Sequence, residues 1–407
     1  MLITLVPLFD EELAVEAYSV FCQKNNMLQQ PMLLGTGSND GAGRIPGLEL
    51  ISEIGLDVLT AGKPVFVPVS HIAVFSDLAS ECPRPAGKIV LLFDDKITPE
   101  ERYVERIKEL KKQGFGIAFH KIPIQSFAKY DELFRMTDYI FLNQKKTAID
   151  KATIYFGKLY PNIRLCAGNL ETQEDFESLK GKGYAFYEGN FYRVAVTRGS
   201  REVTPLKYNY IELLNTVNEE GFELSKAADI ISQDAALTIS LLKIVNRFSR
   251  NSTVTSIRHA AAMLGQKELK KWINTAVVNE LYSDSPSEVT RVSLLRAKFM
   301  ENLAGLFGLA MKKDELFLMG IFSLLDVIMD KPMEEALEII TVTPAMKKAL
   351  IEHTGEYAQI LDFVEQYEAA SFQEVSRVMV TRQLTMEDIS QAYMDSLRWY
   401  KEILVAK

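Results

Sequence analysis

The sequence is poor in the residues that build disulfide frameworks and metal sites. Its 407 residues include three cysteines and four histidines. The cysteines are Cys22, Cys82 and Cys166, and the histidines are His71, His120, His259 and His353. An odd number of widely spaced cysteines predicts neither a disulfide framework nor a cysteine-based metal knuckle. The histidines lack the close spacing of zinc ligands, so no zinc site is expected.

Long apolar runs and a basic excess are also missing. No run reaches the roughly 18–20 apolar residues that a membrane-spanning helix needs. The start, MLITLVPLFDEELAV, has neither a basic region nor a small-residue cleavage site, so it predicts a first strand rather than a signal peptide. With 46 basic and 54 acidic residues, the net charge is −8. We therefore expect a cytoplasmic protein that binds neither nucleic acid nor a membrane.

The first 200 residues alternate short apolar runs with helical patterns. The runs are 2–9, 64–70, 88–93, 115–119, 139–143, 163–168 and 184–189. The clearest helices are 99–114 and 172–183, the second with Thr172 as a plausible N-cap. Seven or eight such units predict a parallel sheet covered by helices, and a closed (β/α) barrel is the favoured form. An open doubly wound sheet is the alternative.

The pattern changes near residue 200. The polar segment VTRGSREVTP (196–205) predicts a domain boundary. After it, about ten segments carry apolar residues at helical spacing and none has a convincing strand pattern. We therefore predict a barrel over 1–198 and an all-helical domain over 199–407.

The C-terminal ends of the predicted strands are where a barrel would place its functional residues. These ends offer Asp94 and Asp95, then the pair His120–Lys121, then Asn143 and Glu188. The set is poor in carboxylates, and a lysine at the rim disfavours a dication. No dinucleotide-binding or phosphate-binding glycine motif and no serine or cysteine nucleophile motif is present.

The barrel half resembles EAL domains, the barrel phosphodiesterases of cyclic di-GMP, over about residues 1–198. Segments 7–21, 59–70, 87–101, 111–122, 137–144 and 169–192 follow the order of that family's strand ends. The last segment, NLETQEDFESLKGKGYAFYEGNFY, is the most specific. The resemblance implies an EAL-type barrel and a function related to cyclic di-GMP.

The family's functional positions are almost all changed. In the alignment, its metal-binding acids fall at Ser19, Leu92, His120 and Lys121, its strand-end asparagine falls at Pro68, and the aspartate two residues after its catalytic lysine falls at Asn143. Its catalytic lysine falls at Phe141, the acid before its Val-Glu-Thr segment falls at Gly168, and its late glutamine falls at Glu188. Glu171 is the acid that is retained. Two-metal hydrolysis depends on such ligands. We therefore predict no metal, no cofactor, no catalytic residue and no enzymatic activity.

The helical half resembles the HDOD family over about residues 200–407. The segment 232–273 carries the resemblance, with the Leu-Leu-x-x-x-Asn run and the later Leu-Gly. The metal ligands of the related HD enzymes fall at Ser323 and Leu324, so this half is also predicted to be metal-free. Barrel and helical module together resemble bacterial EAL–HDOD signalling proteins.

These observations predict a non-catalytic signal-transduction protein that acts through contacts with other signalling proteins. The alternative is a sensor that binds cyclic di-GMP or another anion without hydrolysing it. The candidate pocket at the barrel mouth comprises Ser19, Asp94, His120, Lys121, Asn143, Glu171 and Glu188. A candidate interaction surface comprises Lys267, Lys270, Lys271 and Trp272. Homodimer formation is left open.

Overall fold

A computed structural model describes most of the chain. It covers residues 1–23, 45–60, 62–81, 86–143, 149–189, 191, 205–219, 221–233, 235–248, 254, 256–281, 287–329, 331–338, 340 and 342–406. Most of the predicted boundary 196–205 lies outside these residues, as does Cys82. Among the described residues, no helix is long and apolar enough to cross a bilayer.

Eight strands form a closed barrel in sequence order. They are β1 (Leu2–Phe9), β2 (Val15–Gln23), β3 (Val65–Pro68), β4 (Ile89–Phe93), β5 (Gly116–His120), β6 (Tyr139–Asn143), β7 (Arg164–Leu170) and β8 (Phe186–Gly189). Strands β2 to β8 run parallel, whereas β1 is antiparallel to both of its neighbours. The predicted barrel is confirmed, and the open sheet is excluded because β8 pairs with β1.

Helices cover the outside of the barrel. They are α1 (Pro46–Ile54), α2 (Leu56–Thr60), α3 (Leu78–Glu81), α4 (Glu101–Lys112), α5 (Asp131–Phe134), α6 (Ile149–Leu159) and α7 (Gln173–Leu179). The predicted N-cap of α7 is confirmed, because the Thr172 hydroxyl accepts from the Asp175 backbone N–H and Asp175 bonds back in a capping box. In α4, Tyr103, Val104, Ile107 and Leu110 recur at helical spacing and are buried.

The described residues after 205 are helical, as predicted, and contain no strand. Their helices are α8 (Pro205–Asn218), α9 (Leu224–Ile231), α10 (Ala235–Phe248), α11 (Ile257–Leu281), α12 (Ser287–Leu303), α13 (Lys313–Phe322), α14 (Leu325–Met329), α15 (Met333–Ala336), α16 (Pro344–Glu352), α17 (Ala358–Glu368), α18 (Phe372–Arg382) and α19 (Met386–Ala406). The helix α11 is interrupted at Gly265, whose φ of 72° is non-helical.

Two compact units divide the chain in a way that differs from the predicted ranges. The first unit contains residues 1–194 and 363–397, and the second contains residues 195–362 and 398–407. Segment 363–397 is thus a C-terminal part of the barrel unit, whereas the predicted division had assigned it to the helical domain. The predicted boundary itself stays a prediction.

Candidate functional site

An apolar cluster, here called the apolar layer, fills the barrel interior, and β4 and β6 each contribute two successive interior residues to it. Its members are Leu8, Ala17, Phe66, Val90, Leu92, Ala118, Tyr139, Phe141, Cys166 and Phe186. Alternate residues of a strand face the same side of a sheet. On β2, β3, β5, β6, β7 and β8, the interior position two residues beyond the last member of the apolar layer is therefore the next one toward the C-terminal end, and these positions are here called the mouth ring. The mouth ring consists of Ser19, Pro68, His120, Asn143, Gly168 and Glu188.

Ser19 supplies an unused hydroxyl to the mouth ring. Its neighbour in register on β3 is Phe66, a member of the apolar layer, so both side chains face the interior. Ser19 is fully buried, and its Oγ has no hydrogen-bond partner in the described structure. A buried polar atom without a partner is unfavourable, typically by about 1–3 kcal/mol. The Ser19 hydroxyl is therefore an unused hydrogen-bonding group inside the barrel.

Glu188 fills space that Gly168 leaves open. One carboxylate oxygen of Glu188 lies 3.2 Å from the place that a Cβ on Gly168 would take, and the Phe141 ring is beside it. Burial raises the pKa of Glu188 to about 7, and the nearby positive charge of Lys121 opposes that rise. Glu188 is consequently a mixture of acid and carboxylate near neutral pH.

The pair at the end of β5 consists of a half-buried His120 and an exposed Lys121. Burial, followed by the charge of Lys121, lowers the pKa of His120 to about 4, while Asp94 acts in the opposite direction. His120 is thus neutral at pH 7. Lys121 has a φ of 60°, a left-handed conformation that costs a residue with a Cβ about 1 kcal/mol. Lys121 is exposed and directly follows His120, the last residue of β5, at the C-terminal end of the strand.

The remaining predicted pocket residues, Asp94, Asn143 and Glu171, lie at the ends of three different strands. Asp94 follows β4, where its carboxylate accepts from the Lys96 backbone N–H at 3.0 Å. Asn143 ends β6 in the mouth ring. Glu171 is exposed beyond β7, and its backbone N–H donates to Asp175. The barrel thus groups six of the seven predicted residues at its mouth and leaves Glu171 outside.

The donors at the mouth do not fit a pair of divalent cations. Hard cations prefer several converging oxygen ligands. In the described part of the barrel mouth, no three His, Cys, Asp or Glu side chains bring ligand atoms within 4.8 Å of one another. Leu92 and Phe141 lie in the apolar layer, where the Phe141 ring packs edge-on against Phe66 at 5.3 Å. We therefore assign no metal-dependent step to this site.

In the second unit, the two positions that align with the HD metal ligands are buried and take part in packing. Ser323 accepts from the buried Arg296 guanidinium at 2.9 Å and donates to the Gly320 carbonyl at 2.7 Å. Leu324 is buried beside it. A guanidinium beside this position opposes binding of a cation there.

The predicted interaction surface on α11 is partly neutralised by acids. Lys271 pairs with Glu301 at 3.2 Å, and Lys270 is half-buried near Asp314 and Glu315. Burial lowers the pKa of Lys270, and these two acids oppose the shift. Lys267 is exposed and Trp272 is half-buried. The role of this surface stays a prediction.

Glu188 should make the barrel less stable as the pH rises. Its pKa is about 7 in the folded chain against 4.5 for a free side chain. The folded state therefore holds the proton longer, and stability falls between pH 4.5 and 7. Glu188→Gln should match the wild type near pH 4.5 and exceed it by about 1–3 kcal/mol at pH 8.

Urea titrations read by hydrogen exchange of the barrel strands would check this at both pH values. His120 changes the free energy of unfolding in the opposite direction, because its lowered pKa reduces stability as the pH falls from 6.5 to about 4. Its contribution cancels when the two proteins are compared at the same pH. A difference between them that does not change with pH contradicts the expectation.

The sequence interpretation missed residues that the structure places near this end of the barrel. Tyr367, Ser376 and Tyr393 belong to segment 363–397 and contact β1 and β2. His71, on the loop after β3, has a buried Nδ1 without a partner in the described structure. Nothing in the helical periodicity of 363–397 distinguishes it from the segments before it, so sequence pattern alone had no signal for its place.

The chain is similar to a domain family and to several known proteins. Residues 203–358 match the HDOD domain model. YuxH of Bacillus subtilis (strain 168), named an uncharacterized protein, is 26% identical over 98% of each chain. The cyclic di-GMP phosphodiesterase CdgJ of Vibrio cholerae is 26% identical over 88% of this chain and 83% of its own. The EAL domain of Mycobacterium smegmatis DcpA covers 46% of this chain and 89% of its own, with 15% identity and a TM-score of 0.35.

One prediction is contradicted by these comparisons. The loss of metal ligands led to the expectation that the chain is not an enzyme. CdgJ, a relative over most of both chains, is named a phosphodiesterase, and that finding overturns the expectation. The error came from equating the loss of one family's ligand set with the loss of activity.

The predicted pairing of domains is confirmed by the HDOD match and by the observed barrel. A cyclic di-GMP phosphodiesterase among the relatives agrees with a signalling role for this pairing. The chain therefore joins a closed eight-stranded barrel to a helical region that matches the HDOD domain model over residues 203–358.

Proposed function

We propose that this chain is a signal-transduction protein whose barrel mouth binds a cyclic dinucleotide, with Lys121 as the contact for a phosphate. The carrying observation is the place of Lys121, an exposed residue directly after His120 at the C-terminal end of β5. Its charge also acts on the pKa values of His120 and Glu188. A lysine is a compact point charge that suits a phosphate oxygen. The ligand class follows from the relation to CdgJ, which is named for cyclic di-GMP.

Two further groups support phosphate binding. The unpaired Ser19 hydroxyl can donate to an oxygen that enters the mouth. Glu188, when protonated, donates as well and no longer repels an anion. An anionic ligand should therefore bind more tightly at pH 6 than at pH 8, and its binding should release no metal.

Isothermal titration of the full chain with cyclic di-GMP, in buffer with EDTA, tests the proposal. We expect binding at micromolar protein and at least a tenfold loss of affinity in Lys121→Met, about 1.4 kcal/mol or more. Lys158→Met is the matched control, because Lys158 is exposed on the outer helix α6. Its affinity should equal that of the wild type.

Two results would count against the proposal. Absence of heat with the wild-type chain at both pH 6 and pH 8 excludes cyclic di-GMP as the ligand. Equal affinities of Lys121→Met and Lys158→Met exclude Lys121 as the phosphate contact.

A further inference from the structure

The hairpin of β1 and β2 extends beyond the rest of the barrel. In the described residues, β8 pairs with β1 only at Leu8 and Phe9. Likewise β3 ends at Pro68, two residues beyond the partner of Ser19. The start of β1 and the end of β2 therefore project past the other strands. They do so at the mouth, because β2 runs parallel to β3 and its C-terminal end lies on that side.

Segment 363–397 of the same compact unit packs on this projection. The Tyr367 hydroxyl accepts from the Ile3 backbone N–H at 3.2 Å and donates to the Ile3 carbonyl at 2.8 Å. The Gln23 side-chain amide donates to the Ser376 hydroxyl at 3.0 Å. The hydroxyls of Thr4 and Tyr393 lie 3.5 Å apart. The contacts thus involve α17, α18 and α19 and both strands of the hairpin.

Side-chain parity places two of these contacts on the inner face of the hairpin. Leu8 and Ala17 belong to the interior layer and oppose each other in the β1–β2 register, which is regular from there to Leu2 and Gln23. Alternate residues of a strand face the same side, so Thr4 shares the inner face with Leu8, and Gln23 shares it with Ala17. Val20, of the other parity, faces Gly47 of α1 outside the barrel. Thr4 and Gln23 therefore face the barrel axis beyond the mouth ring.

We propose that residues 363–397 form a lid over one side of the barrel mouth, and that displacement of this lid controls access to the mouth ring. The identity of the ligand rests on the function proposed above, whereas the lid itself rests on the register and the contacts. Residues 195–362 lie in the chain between the barrel strands and the lid. The backbone therefore connects that part of the chain directly to the lid, so a conformational change there has a covalent path to the lid.

Lid displacement would set the apparent affinity of the mouth. When only the open form admits the ligand, the apparent dissociation constant is the intrinsic one divided by the open fraction. The hydroxyls of Tyr367, Ser376 and Tyr393 contact the hairpin, and apolar side chains of the lid are buried as well. Fixing the lid in its observed position should therefore weaken binding, and releasing it should strengthen binding.

A reversible cross-link provides the test in the full chain. Gln23→Cys and Ser376→Cys are combined in a Cys22→Ser, Cys82→Ser background and joined with a short bis-methanethiosulfonate that dithiothreitol removes. We expect the linked protein to bind cyclic di-GMP at least tenfold more weakly than the reduced protein. Hydrogen exchange at the mouth, over residues 117–122 and 186–189, should be slower in the linked form.

The two proteins that carry only one of the introduced cysteines beside the buried Cys166, treated with the same reagent, are the controls and should match their reduced forms. Hydrogen exchange needs no ligand, so it decides the lid proposal even if the reduced protein fails to bind cyclic di-GMP, a failure that counts against the proposed function alone. Equal exchange rates in the linked and reduced forms overturn the lid. An affinity that stays the same or increases on linking overturns it as well.

Discussion

Gly320→Ala is expected to destabilise the helical unit by about 3 kcal/mol. A Cβ at this position in α13 would lie 2.4 Å from the Cα and 2.6 Å from the backbone nitrogen of Ala297 in α12. Backbone atoms cannot rotate away as a side chain can, so the two helices must separate. The separation would also strain the bond from the Ser293 hydroxyl to the Ile321 carbonyl, at 2.7 Å between the same helices.

The sequence supplies a selective probe for this effect. The chain has two tryptophans, Trp272 and Trp399, and both belong to the second compact unit. Urea unfolding followed by tryptophan fluorescence therefore reports on that unit and not on the barrel. Gly305→Ala is the control, because a Cβ there has no atom within 4 Å. A Gly320→Ala midpoint equal to that of Gly305→Ala would disprove the close packing of α12 on α13.

The sequence predicted the barrel well because most of its strands are buried on both faces. The runs 88–93, 139–143 and 184–189 are almost continuously apolar, and they locate β4, β6 and β8 within two residues. The strand β2 was not located by its apolar pattern, because Glu16 and Ser19 interrupt it. A polar residue inside a strand obscures the period that sequence interpretation depends on.

The candidate site was predicted in part. Strand-end position is a local property, so Ser19, Asp94, His120, Lys121, Asn143 and Glu188 could be assigned to the mouth from sequence. The protonation states could not be predicted, because they depend on burial across neighbouring strands. Glu188 retains its proton to about pH 7 since the missing side chain of Gly168 lets its carboxyl group lie inside the mouth. The contacts of Tyr367 could not be predicted either, because they join residues 364 positions apart in the sequence.

Tyr367→Phe is expected to destabilise the hairpin of the barrel by about 2–4 kcal/mol. Tyr367 is fully buried, and its hydroxyl pairs both the N–H and the carbonyl of Ile3, which is itself buried. Removing one oxygen leaves two buried backbone groups without that partner. Hydrogen exchange over Leu2–Phe9 should be at least tenfold faster than in the wild type, because the strand opens more often.

Tyr103→Phe controls for the loss of a buried tyrosine hydroxyl. Tyr103 is also buried in the barrel unit, and its ring contacts are with Phe75 and Arg102. Its substitution should change exchange over Leu2–Phe9 little. Because Tyr367 also holds the lid, Tyr367→Phe should bind cyclic di-GMP more tightly while being less stable. A variant that loses both stability and affinity would show that Tyr367 supports the barrel without restraining access to it.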